Sequence, residues 1–327
     1  MERIDIPDIP FPVSRIGLGT WAIGGWMWGG TDEPESIRTI ERALDLGVNL
    51  VDTAPVYGFG RSEEIVGKAI GGGARRDKVV IATKCGLAWR DGKVHRDASR
   101  ARVRQEVEDS LRRLRTGWID LYQVHWPDPS VPLEETAEEL SKLKAEGKIR
   151  AIGVSNFAPS QLARFAARAP LATAQPPYNL FERAVERDVL PWCREHGVVT
   201  LTYGALCRGL LSGRMTEDTK FLGDDLRRYD PKFKPPRLGQ YLAAARALRE
   251  FADAELGRSL VELAVRWILD QPGVSIALWG ARRPDQLEAI PKVLELWRLT
   301  PGQLARIDEI LEAHVRNGVG PEFMAPP

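Results

Sequence analysis

Asp52, Tyr57, Lys84 and His125 are polar residues carried at or just past the tips of short apolar runs. Residues 49–63, NLVDTAPVYGFGRSE, bring Asp52 directly after Leu50-Val51 and Tyr57 five residues later, among small residues. VVIATK ends on Lys84, and IDLYQVH ends on His125. Strand ends and loops on a rigid scaffold are where reactive groups collect. A tyrosine with an ordinary pKa near ~10 exchanges protons poorly at neutral pH. A neighbouring ammonium favours the phenolate, so Lys84 is expected to lower the Tyr57 pKa while Asp52 keeps Lys84 charged and in place. His125 has the donor needed to orient a carbonyl oxygen. Together these groups suit protonation of an oxygen on which negative charge is developing, as at a carbonyl accepting a hydride. Singly, each has a plainer reading: a helix cap or salt-bridge partner for Asp52, a packed loop ring for Tyr57, a surface lysine for Lys84, a satisfied half-buried histidine for His125. The four act together only in a fold that brings these strand ends to one place.

The surrounding pattern supplies such a fold. Residues 2–13 alternate polar and apolar but contain Pro7, Pro10 and Pro12, which suits a short hairpin or plug, because Pro cannot donate to a ladder. RIGLGTW is the first strand-like run, and the Gly- and Trp-rich stretch to Gly30 reads as loop. A helix-then-strand unit then recurs. Ile37, Ile40 and Leu44 share a helical face that Gly47 ends before VNLVDT, and SEEIVGKAI with the turn GGGARRD leads into VVIATK. Val103, Val107, Leu111 and Leu114 share another face, ended by Gly117 before WIDLYQVH. Leu133, Ala137 and Leu140 follow, ended by Gly147 before KIRAIGVS. A helix from Pro159 precedes PLATAQ, one ending at Gly197 precedes VVTLTY, and SLVELAVRWIL precedes VSIALWG. Helical apolar spacing, a glycine cap and then a short β-branched run describe helices alternating with strands buried on both faces. Eight such strands with right-handed crossovers close naturally into a (β/α)8 barrel, whose catalytic groups gather at the C-terminal ends of the strands.

An open doubly wound sheet calls instead for GxGxxG after the first strand, with an acidic residue about 20 positions on. GLGTWAIGG offers Gly17 and Gly19, but its third glycine is Gly24 and no helix opens there. The barrel is therefore preferred, as one domain over residues 1–327. It would carry an N-terminal hairpin at about 2–13, a long insertion at about 209–240 after the seventh strand, and a C-terminal tail at about 317–327.

Composition excludes several classes. Apolar residues make up 43% and charged residues 28%, and Lys+Arg 46 against Asp+Glu 45 leaves a net charge of +1. That balance gives no global field for nucleic acid or an anionic membrane. Cys85, Cys193 and Cys207 are odd in number and lack metal-ligand spacing, which suits reduced thiols in the cytoplasm. No run has the length of a bilayer span, and the N-terminus has no apolar signal core. The expected partner is a small carbonyl compound, with no nucleic acid and no membrane, and the expected state is a monomer or weak oligomer.

The segments GLGTWAIGG, VDTAPVYGFGRSEEIVGKAI, VVIATKCG, IDLYQVHWPD, KIRAIGVSNF, QPPYNLFER, YGALCRGLLSGR and WGARRPDQLEAI run in order over nearly the whole chain. In them the chain resembles the aldo-keto reductases, and WMWGGTDE with the closing GPEFMAPP resembles a bacterial general-stress branch. The resemblance implies a catalytic tetrad at Asp52, Tyr57, Lys84 and His125, with Tyr57 as the general acid for carbonyl reduction. It implies NADPH (NADP+ in the reverse direction) lying across the barrel mouth without a Rossmann domain. The nicotinamide end would meet Thr20, Trp21, Asp52, Ser155, Asn156 and Gln175, with Tyr203 stacked on the ring. The loop Gly204, Ala205, Leu206, Cys207 and Arg208 would cover the pyrophosphate, with Arg214 as a further phosphate candidate. Gly280, Ala281, Arg282 and Gln286 would hold the adenosine phosphate, beside a helix opening at Pro284. Arg282 offers bidentate phosphate contacts, which favours NADPH over NADH. The last strand reads ALWG where the family often has Ile-Pro-Gly.

Trp21, Trp26, Trp28, Trp89 and Trp126 fall in mouth loops and suit a pocket for an apolar carbonyl compound. His95, His196 and His314 read as exposed or capping residues without metal spacing. In ARVRQEVEDSLRRLR, Arg104–Glu108 and Glu108–Arg112 are spaced i,i+4, which suits a solvated outer face. Gly71–Gly73 is a turn, since no Lys-Ser/Thr follows. Two other functions fit parts of the pattern: an NADP(H)-holding redox sensor acting through a partner, and an aldolase using Lys84 as a Schiff base.

Overall fold

The computed structural model describes residues 2–295 and 297–327. Eight parallel strands close into a barrel: β1 (Ile16–Gly19), β2 (Leu50–Asp52), β3 (Val80–Cys85), β4 (Ile119–Val124), β5 (Ile149–Ser155), β6 (Leu171–Gln175), β7 (Val199–Thr202) and β8 (Ile276–Gly280). Each pairs with its neighbours in chain order, and β8 closes on β1. These are the eight runs expected from the sequence. The helices between them are α1 (Glu33–Asp45), α2 (Arg61–Ile70), α3 (Arg100–Leu114), α4 (Leu133–Ala145), α5 (Pro159–Ala166), α6 (Val189–Glu195), α7 (Arg237–Phe251) and α8 (Leu260–Asp270). A further helix, Pro301–His314, packs against α7.

Local chemistry sets the helix ends. Asp32 accepts the Glu35 amide at 2.9 Å to start α1, and Ser259 with Glu262 forms a reciprocal cap on α8. At the end of α3 the left-handed residue is Arg115 (φ +54), and not the expected Gly117, because the helix stops at Leu114 and the turn must follow at once. The charges of α3 also pair differently from the i,i+4 expectation. Arg104 reaches Glu139 and Glu146 of the α4 region, and Glu108 takes Lys148 at 2.6 Å. Glu139 is fully buried beneath Arg104 and Arg100, and a buried carboxylate draws in its cations across helices.

Strand parity decides which side chains enter the barrel. Val80 and Ala82 of β3 join the interior cluster while Ile81 and Cys85 pack outward under the helices, so Lys84 points inward. On β4 Leu121 is interior and Tyr122 is outward, which puts Gln123 and His125 on the inner side. On β6 the phase changes. Ala172 is interior but Ala174 lies outward, and the pairing with β5 is irregular between Leu171 and Thr173. That irregularity turns Gln175 inward.

The N-terminal hairpin pairs Arg3–Ile4 with Val13–Ser14. Its ladder is too short to hold it, and Ile6, Ile9 and Val13 anchor it instead by burial against Leu50, Leu121 and Ile276. Burying each such side chain contributes about 1.5–3 kcal/mol. A second hairpin, Leu87–Arg90 with Lys93–Arg96, follows β3. After β7 the chain makes its long excursion, which ends where α7 starts at Arg237, slightly before the expected boundary. The tail returns over it: Lys232 donates to the Gly320 carbonyl at 2.9 Å, and Arg96 donates to the Pro326 carbonyl at 2.7 Å.

Candidate active site

The C-terminal strand ends bring the four sequence candidates together. Lys84 is wholly buried, and its Nζ donates to Asp52 Oδ1 at 2.6 Å, to the Thr53 carbonyl at 2.9 Å and to the Tyr57 hydroxyl at 3.4 Å. The Tyr57 ring meets His125 edge-on at 5.7 Å between centroids and lies nearly parallel to Trp21 at 6.0 Å. Asp52 Oδ2 is held by two amides, Gln175 at 2.8 Å and Gln123 at 3.1 Å. Three side-chain donors thus hold this carboxylate.

The loop carrying Tyr57 is fixed from outside by two glycines in backbone contact. A Cβ on Gly24 would lie 2.6 Å from the Tyr57 carbonyl, and one on Gly58 would lie 2.1 Å from the Gly24 oxygen. Thr20 ties the same region together, donating to the Asp52 carbonyl at 2.9 Å and contacting Ser62 Oγ at 2.8 Å.

The electrostatics differ from the expectation in one respect. Burial, followed by the Asp52 carboxylate, pushes the Tyr57 pKa well above its ordinary value, a net rise in the resting site where a lowering was expected. The physical reason is that Asp52 offsets the ammonium at short range while the phenol is desolvated. Burial lowers the Lys84 pKa, with Asp52 opposing. Burial and the Lys84 charge hold His125 well below the usual imidazole range, so it is neutral at pH 7. The site therefore holds a protonated phenol, a neutral imidazole donor and an ion-paired lysine, a set able to hand a proton to a nascent alkoxide.

Beside the tetrad, Tyr203 donates to Asn156 Oδ1 at 2.9 Å, which pins its ring at the mouth. Asn156, in the left-handed region at φ +64, donates to the His125 carbonyl and to Ser155 Oγ, both at 3.0 Å. Ser155 in turn donates to the Gln175 carbonyl at 2.8 Å.

The profile of the aldo/keto reductase family matches residues 15–312. The chain belongs to the aldo/keto reductase family. It is 58% identical over 327 residues to aldo-keto reductase YhdN of Bacillus subtilis (strain 168), covering 100% of this chain and 98% of that one. It is 34% identical over 328 residues to the NADH-specific methylglyoxal reductase of Escherichia coli (strain K12), covering 96% and 99%. The solved structure of the glycerol dehydrogenase AKR11B4 from Gluconobacter oxydans has a TM-score of 0.89 and 55% identity, covering 99% of each chain.

In this reductase the expected phosphate side chains are distributed unevenly. Gly204 keeps a left-handed turn (φ +80) after β7, but Cys207 and Arg208 are both buried. Arg208 Nη2 meets Glu182 at 2.5 Å and Nε meets Asp230 at 2.6 Å, and Lys232 also reaches Glu182 at 2.7 Å. The Arg208 guanidinium is the counter-charge of two buried carboxylates, so what it brings to the expected pyrophosphate loop is a fixed backbone. Ala205 is buried and Leu206 half-buried, leaving the backbone of this loop as its ligand-facing chemistry. Arg282 donates to the carbonyls of Trp28 at 2.8 Å and Gly30 at 2.5 Å, so it spans to the first mouth loop. Gln286 accepts the amides of Arg282 at 2.7 Å and Arg283 at 3.1 Å, capping the turn after β8. Gly280 is exposed, Ala281 is buried, and exposed Arg214 lies 3.6 Å from Asp285 beside the same segment.

Sequence reasoning missed Gln123, Gly24 and Gly58, and Asp224, which accepts the amides of Met27 at 2.7 Å and Gly29 at 3.2 Å and joins the two large mouth loops. Only Gln123 had a readable signal: it lies two residues before His125 and so shares its side of the strand. Trp26 and Trp89 both pack on Phe59, at 4.8 and 5.6 Å between centroids, forming an aromatic rim. Among the described residues no group of acidic, His or Cys side chains is disposed to hold a metal, and no helix is long and apolar enough to cross a membrane.

Proposed function

We propose that this reductase converts aldehydes or ketones to alcohols by hydride transfer, with Tyr57 as general acid and NADPH as the hydride source. The observation that carries the proposal is the Lys84 ammonium, 2.6 Å from Asp52 and 3.4 Å from the Tyr57 hydroxyl, in a fully buried position. The residues at the mouth fit a dinucleotide. Both Gln175 amide hydrogens are used inward, on Asp52 at 2.8 Å and Gln123 at 3.2 Å, so its acyl oxygen is the atom left to accept from a carboxamide. The pinned Tyr203 ring offers a stacking face, the Gly204–Leu206 backbone a cover for pyrophosphate, and the turn opening at Pro284 an anion-favouring end.

Bound NADPH supplies the hydride. His125, neutral, donates to the carbonyl oxygen and orients it. As charge builds on that oxygen, Tyr57 gives up its proton, which the raised pKa keeps in place until a stronger base than phenolate forms. Lys84 then lies beside the phenolate and stabilises it, and Asp52 fixes Lys84. The aromatic rim of Trp26, Phe59 and Trp89 excludes water and favours an apolar carbonyl compound. The complete tetrad weighs against a purely sensing role, and its lysine, paired with Asp52, is a poor Schiff-base amine. Buried, unpaired Cys85, Cys193 and Cys207 support a reducing cytoplasmic setting, and the chain is read as one domain acting as a monomer or weak oligomer.

For the cofactor, Arg214, Arg282 and Arg283 gather around the adenosine-end segment, which supports NADPH. NADH is the second reading, because Arg282 is committed to two loop carbonyls and Arg214 and Arg283 flank Asp285. Steady-state oxidation of each cofactor with a panel of aldehydes decides between them. Tyr57→Phe is expected to lower kcat by at least ~10²-fold, the scale of lost acid catalysis, with cofactor binding intact. Near-normal turnover in that variant would remove Tyr57 from its role.

A further inference from the structure

Gln123 is an amide in an interior otherwise lined by Leu121, Ala151 and Leu201, and it is fully buried. Its Nε2 donates to Asp52 Oδ2 at 3.1 Å, and its Oε1 accepts from Gln175 Nε2 at 3.2 Å. The residue paired with it on β5 is Gly153, where a Cβ would fall 2.9 Å from Gln123 Cγ and 2.3 Å from Thr173 Oγ1. The barrel thus leaves out a side chain where Gln123 must fold across its axis.

We infer that Gln123 is a further positioning residue for the reaction, acting through Asp52 and Gln175. The inference rests on the reading of Tyr57 as the acid. Asp52 has three side-chain donors, and Lys84 takes only one oxygen. The two amides on the other oxygen spread the carboxylate's charge and limit how strongly it retains the Lys84 ammonium and raises the Tyr57 pKa. By accepting from Gln175, Gln123 also fixes which way that amide faces, hydrogens inward and acyl oxygen toward the mouth. One residue thus sets both the charge balance of the tetrad and the orientation of the amide at the nicotinamide end.

The test compares Gln123→Met and Gln123→Glu with the parent and with Tyr57→Phe, measuring kcat, carbonyl KM, NADPH affinity by tryptophan-fluorescence quenching, Tm and the pH–rate profile. Position 123 touches Asp52, which holds Lys84 and through it reaches Tyr57; His125 shares the inner side of the strand, and the Glu63 charge reaches Lys84 from α2. In Gln123→Met, kcat should fall about tenfold, equivalent to one hydrogen bond to a charged group. Carbonyl KM should change little, NADPH should bind more weakly, and the basic limb of the profile should move up. Gln123→Glu has nearly the same shape and donates when protonated. Its activity should be recovered toward low pH and lost as the new acid ionises, a limb absent from the parent and from Gln123→Met. Parent-like kcat and pH profile in both variants overturn the inference, as does an equal, pH-independent loss in both that tracks Tm. If Tyr57→Phe retains turnover, the reading of the acid fails first. If Tyr57→Phe is inactive while both Gln123 variants behave as the parent, only the present inference fails.

Discussion

Gly24→Ala tests the placement of the catalytic phenol without touching any reactive group. Gly24 has ordinary backbone angles, so alanine is conformationally acceptable there. The new methyl group, however, would lie 2.6 Å from the Tyr57 carbonyl carbon and oxygen, where ordinary contacts begin at 3.4 Å. The loop carrying Tyr57 must retreat by most of an ångström, and the obstructing atoms are backbone, which cannot rotate away. Tyr57 reaches Lys84 at 3.4 Å, already the long end of a hydrogen bond. A misplacement of about 1 Å costs on the order of 10²-fold in rate when geometry is what the site supplies. The expected result is kcat reduced by about 10–10²-fold at saturating NADPH, followed by loss of cofactor absorbance, with NADPH affinity nearly unchanged. Gly72→Ala is the control: its φ of +80 strains alanine, but nothing lies within 4 Å of the new methyl, so Tm falls slightly and kcat holds. A Gly24→Ala enzyme within twofold of the parent would refute the claim that this glycine contact sets the Tyr57 position.

Three further outcomes follow from other parts of the molecule. Burial raises the Glu106 pKa from 4.5 to about 7, against Arg102 and the Gly86 amide, so the folded state holds a proton there that the unfolded chain has lost. Its contribution to stability is fully present below pH 4.5 and lost as pH rises through about 7, on the order of 3 kcal/mol; urea unfolding should show the Glu106→Gln-minus-parent difference growing by that scale from pH 5 to pH 8, and a constant difference would contradict it. Arg208→Met leaves Glu182 with Lys232 as its one remaining cation and Asp230 with none, and should cost roughly 3–5 kcal/mol in a denaturant melt; a loss under 1 kcal/mol would refute its role as their counter-charge. Arg282→Ala releases the Trp28 and Gly30 carbonyls. If Arg282 also meets the adenosine phosphate, KM for NADPH rises far more than KM for NADH, whereas equal rises mark it as a loop clasp alone.

The sequence by itself determined the alternation of strands and helices, because each element's apolar period and its stop signals are local. It also determined that Asp52, Lys84 and His125 end strands, and strand parity within IDLYQVH put Gln123 on the side of His125. Only the tertiary structure decided what these side chains meet. Gln123 and Gln175 converge on Asp52 because the barrel closes and because β6 slips out of phase between Leu171 and Thr173. Neither barrel closure nor that slip has a signature in the pattern of a single strand. The basic residues divide the same way: Arg208 finds Glu182 and Asp230, and Arg282 finds two carbonyls more than 250 positions away. A buried cation must be compensated wherever the fold offers an acceptor, and which acceptor that is depends on loops far apart in the chain. The Tyr57 pKa divides the same way: a neighbouring lysine is legible in the spacing, whereas the desolvation that raises the phenol exists only once the mouth has formed.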